Sequence, residues 1–292
     1  MRRLPAWLIV AGIGVLVALA AADAIRPHGE PRPAPTTAAA SPGPHGLLVY
    51  AGPGCDPVAV RLPRSLAEHV PRMADCGGFV WSGDGSLAAV CKDGRTTIFG
   101  RPGMLRLVGL SGCAPAWRPD GALSVIRDGD LVVARRHGPP QVFLSKEALD
   151  EELDAKPSRT HELAEVAWVD PQRFAAILQG AKRWQQALVV SSQDRIDLFV
   201  AEEGQRISNL TVSPLGNLAF ARNQLGREFV TLDRAGREVP LPRIANVRAL
   251  AWSPNEEWVA LATRTSTYIA RTGSPDVAMR VPLGGESLAW LP

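Results

Sequence analysis

Residues 79–90 read FVWSGDGSLAAV, an apolar strand, a tight turn and a second apolar strand. The phrase returns as PAWRPDGALSVI around Trp117, VAWVDPQRFAAIL around Trp168, LTVSPLGNLAFA around Val212, LAWSPNEEWVALA around Trp252 and LAWLP around Trp290. Aligned on the bulky residue, the copies fall at 81, 117, 168, 212, 252 and 290. Each turn has its own chemistry: proline fixes one dihedral, aspartate bonds nearby backbone and glycine accepts the left-handed conformation. The segment after each turn (SLAAV, ALSVI, RFAAIL, NLAFA, WVALA) is apolar enough to be covered on both faces. Third and fourth strands follow, such as RTTIFG with MLRLVG and TYIAR with AMRVP. Four short antiparallel strands in about 40 residues make one propeller blade.

The last phrase supplies only a first strand, and the segment HGLLVYAGPGCDPVAVRLPRSLAEHV lacks one. The two fragments complete one another, so the sequence predicts an all-β, six-bladed β-propeller whose closing blade is composite. Such closure removes two free sheet edges. The tryptophans Trp81, Trp117, Trp168, Trp252 and Trp290 occupy one repeated position per blade, which points to packing between neighbouring sheets and away from a ligand cage. Trp184 and Trp258 lie off that position. The motifs WSPN, WRPDG and WSGDG followed by LA resemble the repeats of TolB-like and related WD-type six-bladed propellers over residues 46–292. That resemblance implies an interaction platform, a solute binder or an appendage of a peptidase.

The first residues are of another kind. Arg2 and Arg3 precede the uncharged run LPAWLIVAGIGVLVALAAA, and about 20 apolar residues is what a helix needs to cross a bilayer. Residues 1–24 therefore read as a transmembrane anchor with its amino end in the cytoplasm, a cleaved signal peptide being the competing reading because AAADA offers small residues at cleavage spacing. Residues 25–45 form a Pro/Ala-rich linker, extended and semi-stiff, and 46–292 the propeller domain. The expected location is the cell membrane, single-pass, with the propeller extracytoplasmic, or secreted after cleavage. Lysine and arginine number 32 against 29 acidic residues and are scattered along the chain, so nucleic acid is not implied as a partner.

Candidate chemistry is sparse, and the reading contains no catalytic residue, cofactor or metal site. HELAE, His161 to Glu165, resembles the start of a metalloprotease helix but has glutamate where the second histidine belongs, and it runs straight into a strand. No G-x-S-x-G elbow exists. RDGD, Arg127 to Asp130, reads as a hairpin turn. SKEALDEELDAKPSRTHELAE carries an acidic helical pattern with Leu149 and Leu153 four apart, either a docking element or a solvated surface helix, and the latter is favoured.

Cys55, Cys76, Cys91 and Cys113 show no zinc-ligand spacing. By their places in the repeat they gather at one rim of three consecutive blades. Pairing of Cys55 with Cys76 and of Cys91 with Cys113, each across neighbouring blades, is the expectation, with Cys76–Cys91 inside one hairpin the competitor. An exported chain suits disulfides. The sequence thus predicts a membrane-tethered binding or scaffold protein whose partner is an envelope protein or a small ligand on the loop face, the alternative being an extracytoplasmic hydrolase or lyase acting at the central channel.

Overall fold

The computed structural model describes residues 43–292 apart from 52–56, 64–65, 70–78, 84–85, 101–105, 136–137, 154–161, 181–185, 192–194, 201–205, 214, 225–226, 235–236 and 240. These residues form six four-stranded sheets, every adjacent pair antiparallel. In blades 2 to 6 the strands run outward in chain order, from innermost strands Phe79–Trp81, Cys113–Trp117, Glu162–Trp168, Arg206–Val212 and Ala249–Trp252. Blade 1 takes its innermost strand, Ser287–Leu291, from far along the chain and adds Gly46–Ala51, Pro57–Leu62 and Leu66–His69. Each innermost strand touches those of the two neighbouring blades, and the circuit closes from Ala249–Trp252 through Ser287–Leu291 to Phe79–Trp81.

The repeated phrase explains why each hairpin forms. The residue after the bulky one donates its N–H across the turn: Ser82 to Leu87, Arg118 to Ala122, Val169 to Arg173, Ser213 to Asn217 and Ser253 to Trp258, all at 2.8–2.9 Å. Serine recurs there because its Oγ also accepts the returning N–H, from Leu87 and Asn217 at 2.9 Å and from Trp258 at 3.0 Å. Where serine is missing an aspartate substitutes, Asp120 accepting from Ala122 N and Asp170 from Gln172 N and Arg173 N. The second strands are sealed as their composition requires: Ala88–Val90, Phe174–Leu178, Leu218–Ala221 and Trp258–Ala262 are all buried.

The core lies between sheets. Leu131 and Val133 of blade 3 meet Trp168, Phe174 and Val189 of blade 4, and Ile177 and Leu188 meet Ile207 and Phe220 of blade 5. Ala219 meets Trp252 and Val259, and Leu48 and Tyr50 of blade 1 meet Trp258 and Ile269 of blade 6. Two of the repeated tryptophans reach the preceding blade, Trp117 Nε1 donating to Val80 O at 3.1 Å and Trp168 Nε1 to Ser124 Oγ at 2.8 Å, whereas Trp290 Nε1 donates at 2.9 Å to His45 O, just before the adjacent strand of its own composite blade. Trp258, off the repeated position, belongs to the blade 6–blade 1 core, whereas Trp184 lies outside the described residues.

At blade 1 the composite pairing runs from Leu47 opposite Leu291 to Ala51 opposite Ser287. Gly46 enters this seam at φ +115°, where a Cβ would stand 2.6 Å from Leu291 O and 2.8 Å from Trp290 Nε1. Only glycine fits such an approach.

A disulfide joins Cys91, in the second strand of blade 2, to Cys113, at the head of blade 3. The same junction carries Gly112 N to Gly94 O at 2.9 Å and Thr96 Oγ1 to Gly112 O at 2.8 Å. The competing Cys76–Cys91 pairing is thereby excluded, and the expected Cys55–Cys76 pair lies outside the described residues.

The insertion forms α1, Lys146–Glu152, with Ser145 as its N-cap accepting from Ala148 N. Its reading as a merely solvated helix is corrected, because Leu149 is fully buried in the core between blades 3 and 4 and Leu153 packs against it. Asp130, from the RDGD hairpin, accepts from Lys146 N and ties the helix to blade 3. Among the described residues no helix is long and apolar enough to cross a membrane; the apolar run at 4–22 lies outside them.

Candidate functional site: the central channel

Where the innermost strands face one another they enclose a cavity of about 670 Å³ whose wall takes residues from all six blades. All five repeated tryptophans and Val212 stand in this wall. The N–H groups of Trp117, Trp168 and Trp290 are spent inside the blades, so these indoles offer the channel carbon. Valine, alanine, proline and leucine fill most of the rest.

Three charged side chains interrupt that wall: Glu165, Arg248 and Glu286. Arg248 is exposed, and Glu286 is 3.8 Å from the exposed Arg264. Glu165 is recessed. Its placement follows from irregular register in the innermost strands of blades 3, 4 and 5, where pairing slips between Cys113 and Ala116, Leu163 and Glu165, and Ser208 and Thr211. Ala114 and Asn209 adopt φ +49° and +58° at these slips. Bulges of this kind re-aim side chains.

The Glu165 carboxyl is hydrogen-bonded by the backbone of Leu210 and Asn209 in blade 5. Burial disfavours its charged form and outweighs those two bonds, so its pKa is pushed up to about 7. Asn209 in turn donates from Nδ2 to Val247 O at 3.1 Å, linking the blade 5 bulge to the approach to blade 6.

A nucleophile–base pair is not present in this wall. It contains serines but, among the described residues, no histidine or cysteine, and Ser82 Oγ and Ser253 Oγ are committed to their turns. No three His, Cys, Asp or Glu side chains among the described residues gather as a metal site would require. Glu162–Trp168 is a strand, so HELAE does not form a metalloprotease helix, and His161 lies outside the described residues. The sequence reading passed over Glu165 as part of that motif. The signal that marks it is positional: three residues before the bulky residue the phrases carry Gly78, Ala114, Glu165, Asn209, Ala249 and Ser287, and only one is ionisable.

Exposed apolar side chains lie at one turn and on the outer edge of one blade. Leu215 is 76% exposed at the blade 5 turn, and Val142 and Phe143 lie on the outermost strand of blade 3. Phe143 packs edge-on against Trp168, with centroids 4.9 Å apart, and the Arg118 guanidinium stands 4.9 Å from the Trp168 ring while paired with Asp120.

No protein-family model matches the chain, and no curated protein matches it. Solved structures do. TolB from Acinetobacter baumannii aligns at TM-score 0.56 and 14% identity, over 85% of this chain and 67% of that one. The calcium-binding protein regucalcin from Agrobacterium tumefaciens aligns at 0.54 and 10%, over 74% and 77%. The β-propeller domain of Cps50 (Swd1) from Myceliophteria thermophila aligns at 0.50 and 14%, over 86% and 92%. At these identities the likeness is one of fold, and it agrees with the sheets and their order: the chain is a β-propeller, with TolB among its structural neighbours.

Proposed function

We propose that this chain is a membrane-tethered, extracytoplasmic six-bladed propeller that works as a non-enzymatic binding or scaffold protein. The observation carrying the reading is the channel wall itself. Most of its lining residues are aromatic or aliphatic, with polar atoms interspersed, a mixture that supports recognition of a ligand. The turns around the channel are held by their own Ser and Asp bonds, giving a stiff frame on which exposed side chains such as Leu215 are displayed. The compartment is supported by the Cys91–Cys113 bond, since structural disulfides persist in oxidising surroundings, and by the apolar run at 4–22 with its preceding arginines. An envelope protein fits the loop face, and a small ligand fits the channel.

One observation favours the second reading, an extracytoplasmic hydrolase or lyase: a recessed carboxyl with a displaced pKa is what general acid–base catalysis uses. It stands without a histidine or a nucleophile beside it in the wall, which is why binding is preferred.

Site-specific photo-crosslinking from position 215 of the full-length membrane form tests the proposal. A discrete crosslinked envelope protein that is lost when the photoreactive residue is moved to buried position 149 supports it. Crosslinking to no partner, or a reporter fused after residue 292 that is active only in the cytoplasm, overturns it.

A further inference from the structure

We infer that the channel binds a small organic cation, an ammonium group on an apolar body, with the ammonium seated at Glu165 and the body against the tryptophan wall. The inference rests on the binding-protein reading above and names the ligand chemistry of the channel.

Three features of the wall converge on this class. First, its recessed charge is a carboxyl, whereas Arg248 is exposed and Arg264 is already beside Glu286, so an anion finds its counter-charge only toward the solvent. Second, the carboxyl is held in place before any ligand arrives by the amides of Asn209 and Leu210. A carboxylate has about four acceptor positions, so two bonds leave capacity for an ammonium. Third, the five repeated tryptophans and the aliphatic residues of the wall surround a space of about 670 Å³, which takes the apolar body of a small molecule. An opposite charge beside a buried carboxyl favours its ionised form, so the ligand repairs the cost that burial imposes on Glu165. With Arg248 and Glu286 the other charged groups of the wall, affinity rises with pH through the titration of Glu165.

The probes are cyclohexylmethylammonium, its uncharged isostere cyclohexylmethanol and the anion cyclohexanecarboxylate, titrated into the full-length chain in lipid nanodiscs and followed by tryptophan fluorescence and calorimetry. The expected result is saturable binding of the amine, about tenfold or more tighter than the alcohol and tighter still than the carboxylate, tenfold corresponding to about 1.4 kcal/mol. Glu165→Gln retains an acceptor for the two amides and should lose that preference while keeping a cooperative unfolding transition, with a stability at or above the parent's at pH 8, where the probes are titrated. Leu215→Asp, at the blade 5 turn, should bind the amine as the parent does. Equal affinity for amine and alcohol, tighter binding of the carboxylate, no binding of any probe, or an unchanged amine preference in Glu165→Gln each overturn the inference. Crosslinking from position 215 is independent of the channel, so loss of amine binding with crosslinking retained defeats this inference alone.

Discussion

Replacing Gly46 by alanine puts a methyl group into the seam of the composite blade. Two costs add there. Gly46 sits at φ +115°, outside the left-handed region other residues tolerate, and such strain costs about 1–3 kcal/mol. The new Cβ would also stand 2.6 Å from a backbone oxygen of Leu291, which cannot swing away without breaking the pairing of Leu47 with Leu291. The second contact, 2.8 Å from Trp290 Nε1, disturbs the bond that this indole donates to His45 O. Losing that bond adds about 1 kcal/mol. Gly121→Ala is the internal control, because Gly121 has φ +81° and nothing within 4 Å of its added Cβ, so it carries the backbone cost without the seam. We expect Gly46→Ala to exceed Gly121→Ala by at least about 2 kcal/mol, which for a domain of roughly 250 residues is about 4–8 °C in Tm. Differential scanning calorimetry of both variants measures it. Equal losses would refute the argument that the strand Gly46–Ala51 is closed against Ser287–Leu291.

Glu165→Gln should flatten the pH dependence of stability. The folded pKa, about 7, lies above the ordinary 4.5, so the carboxyl contributes fully below 4.5 and its contribution is lost as pH rises through 7. The swing is on the order of 3 kcal/mol; denaturant melts from pH 4 to 8 should show the variant overtaking the parent at the alkaline end, and parallel curves would contradict it. Glu256→Ala removes a buried carboxylate that accepts from Leu215 N and from Asn217 Nδ2, joining the blade 5 and blade 6 turns. Its expected cost is about 1–3 kcal/mol in chemical denaturation, and a neutral result would mean the two turns are not coupled. Cys91→Ser opens a link spanning 22 residues and should cost about 3 kcal/mol in the chain-entropy treatment. Peptide mapping without reductant should recover Cys91 joined to Cys113; a Cys76–Cys91 peptide would sink the inter-blade junction.

Much of the architecture was legible because it repeats. One phrase dictates a bulky residue, a turn and an apolar return strand, and its spacing separates the sheets. The aspartate of the turn could be read as bonding nearby backbone, and the bonds that Asp120 accepts from Ala122 N and Asp170 from Gln172 N bear this out, whereas the part played by the serine emerged only from the structure. Leu149 was harder. Its helix is acidic and short, and four-residue spacing of two leucines cannot distinguish a side chain facing solvent from one that plugs the gap between blades. Glu165 was hidden for another reason. Its neighbours imitate a helical metal motif, while its real environment is made by a bulge in its own strand and by the amides of the next blade, contacts 44 and 45 residues away in sequence. A residue whose chemistry depends on a partner strand shows in one sequence only as an odd member of an aligned column.

Hydrogen exchange of the segment Ser287–Leu291 tests the closed ring most directly. Those of its amides that bond Gly46–Ala51, alternate ones in an antiparallel pair, should open only with the whole domain and exchange as slowly as the paired amides of Phe174–Gln179 in blade 4. Protection of Ser287–Leu291 equal to that buried strand is the predicted result. Exchange at the rate of an unpaired tail, with blade 4 still protected, would contradict the composite blade and the channel it completes.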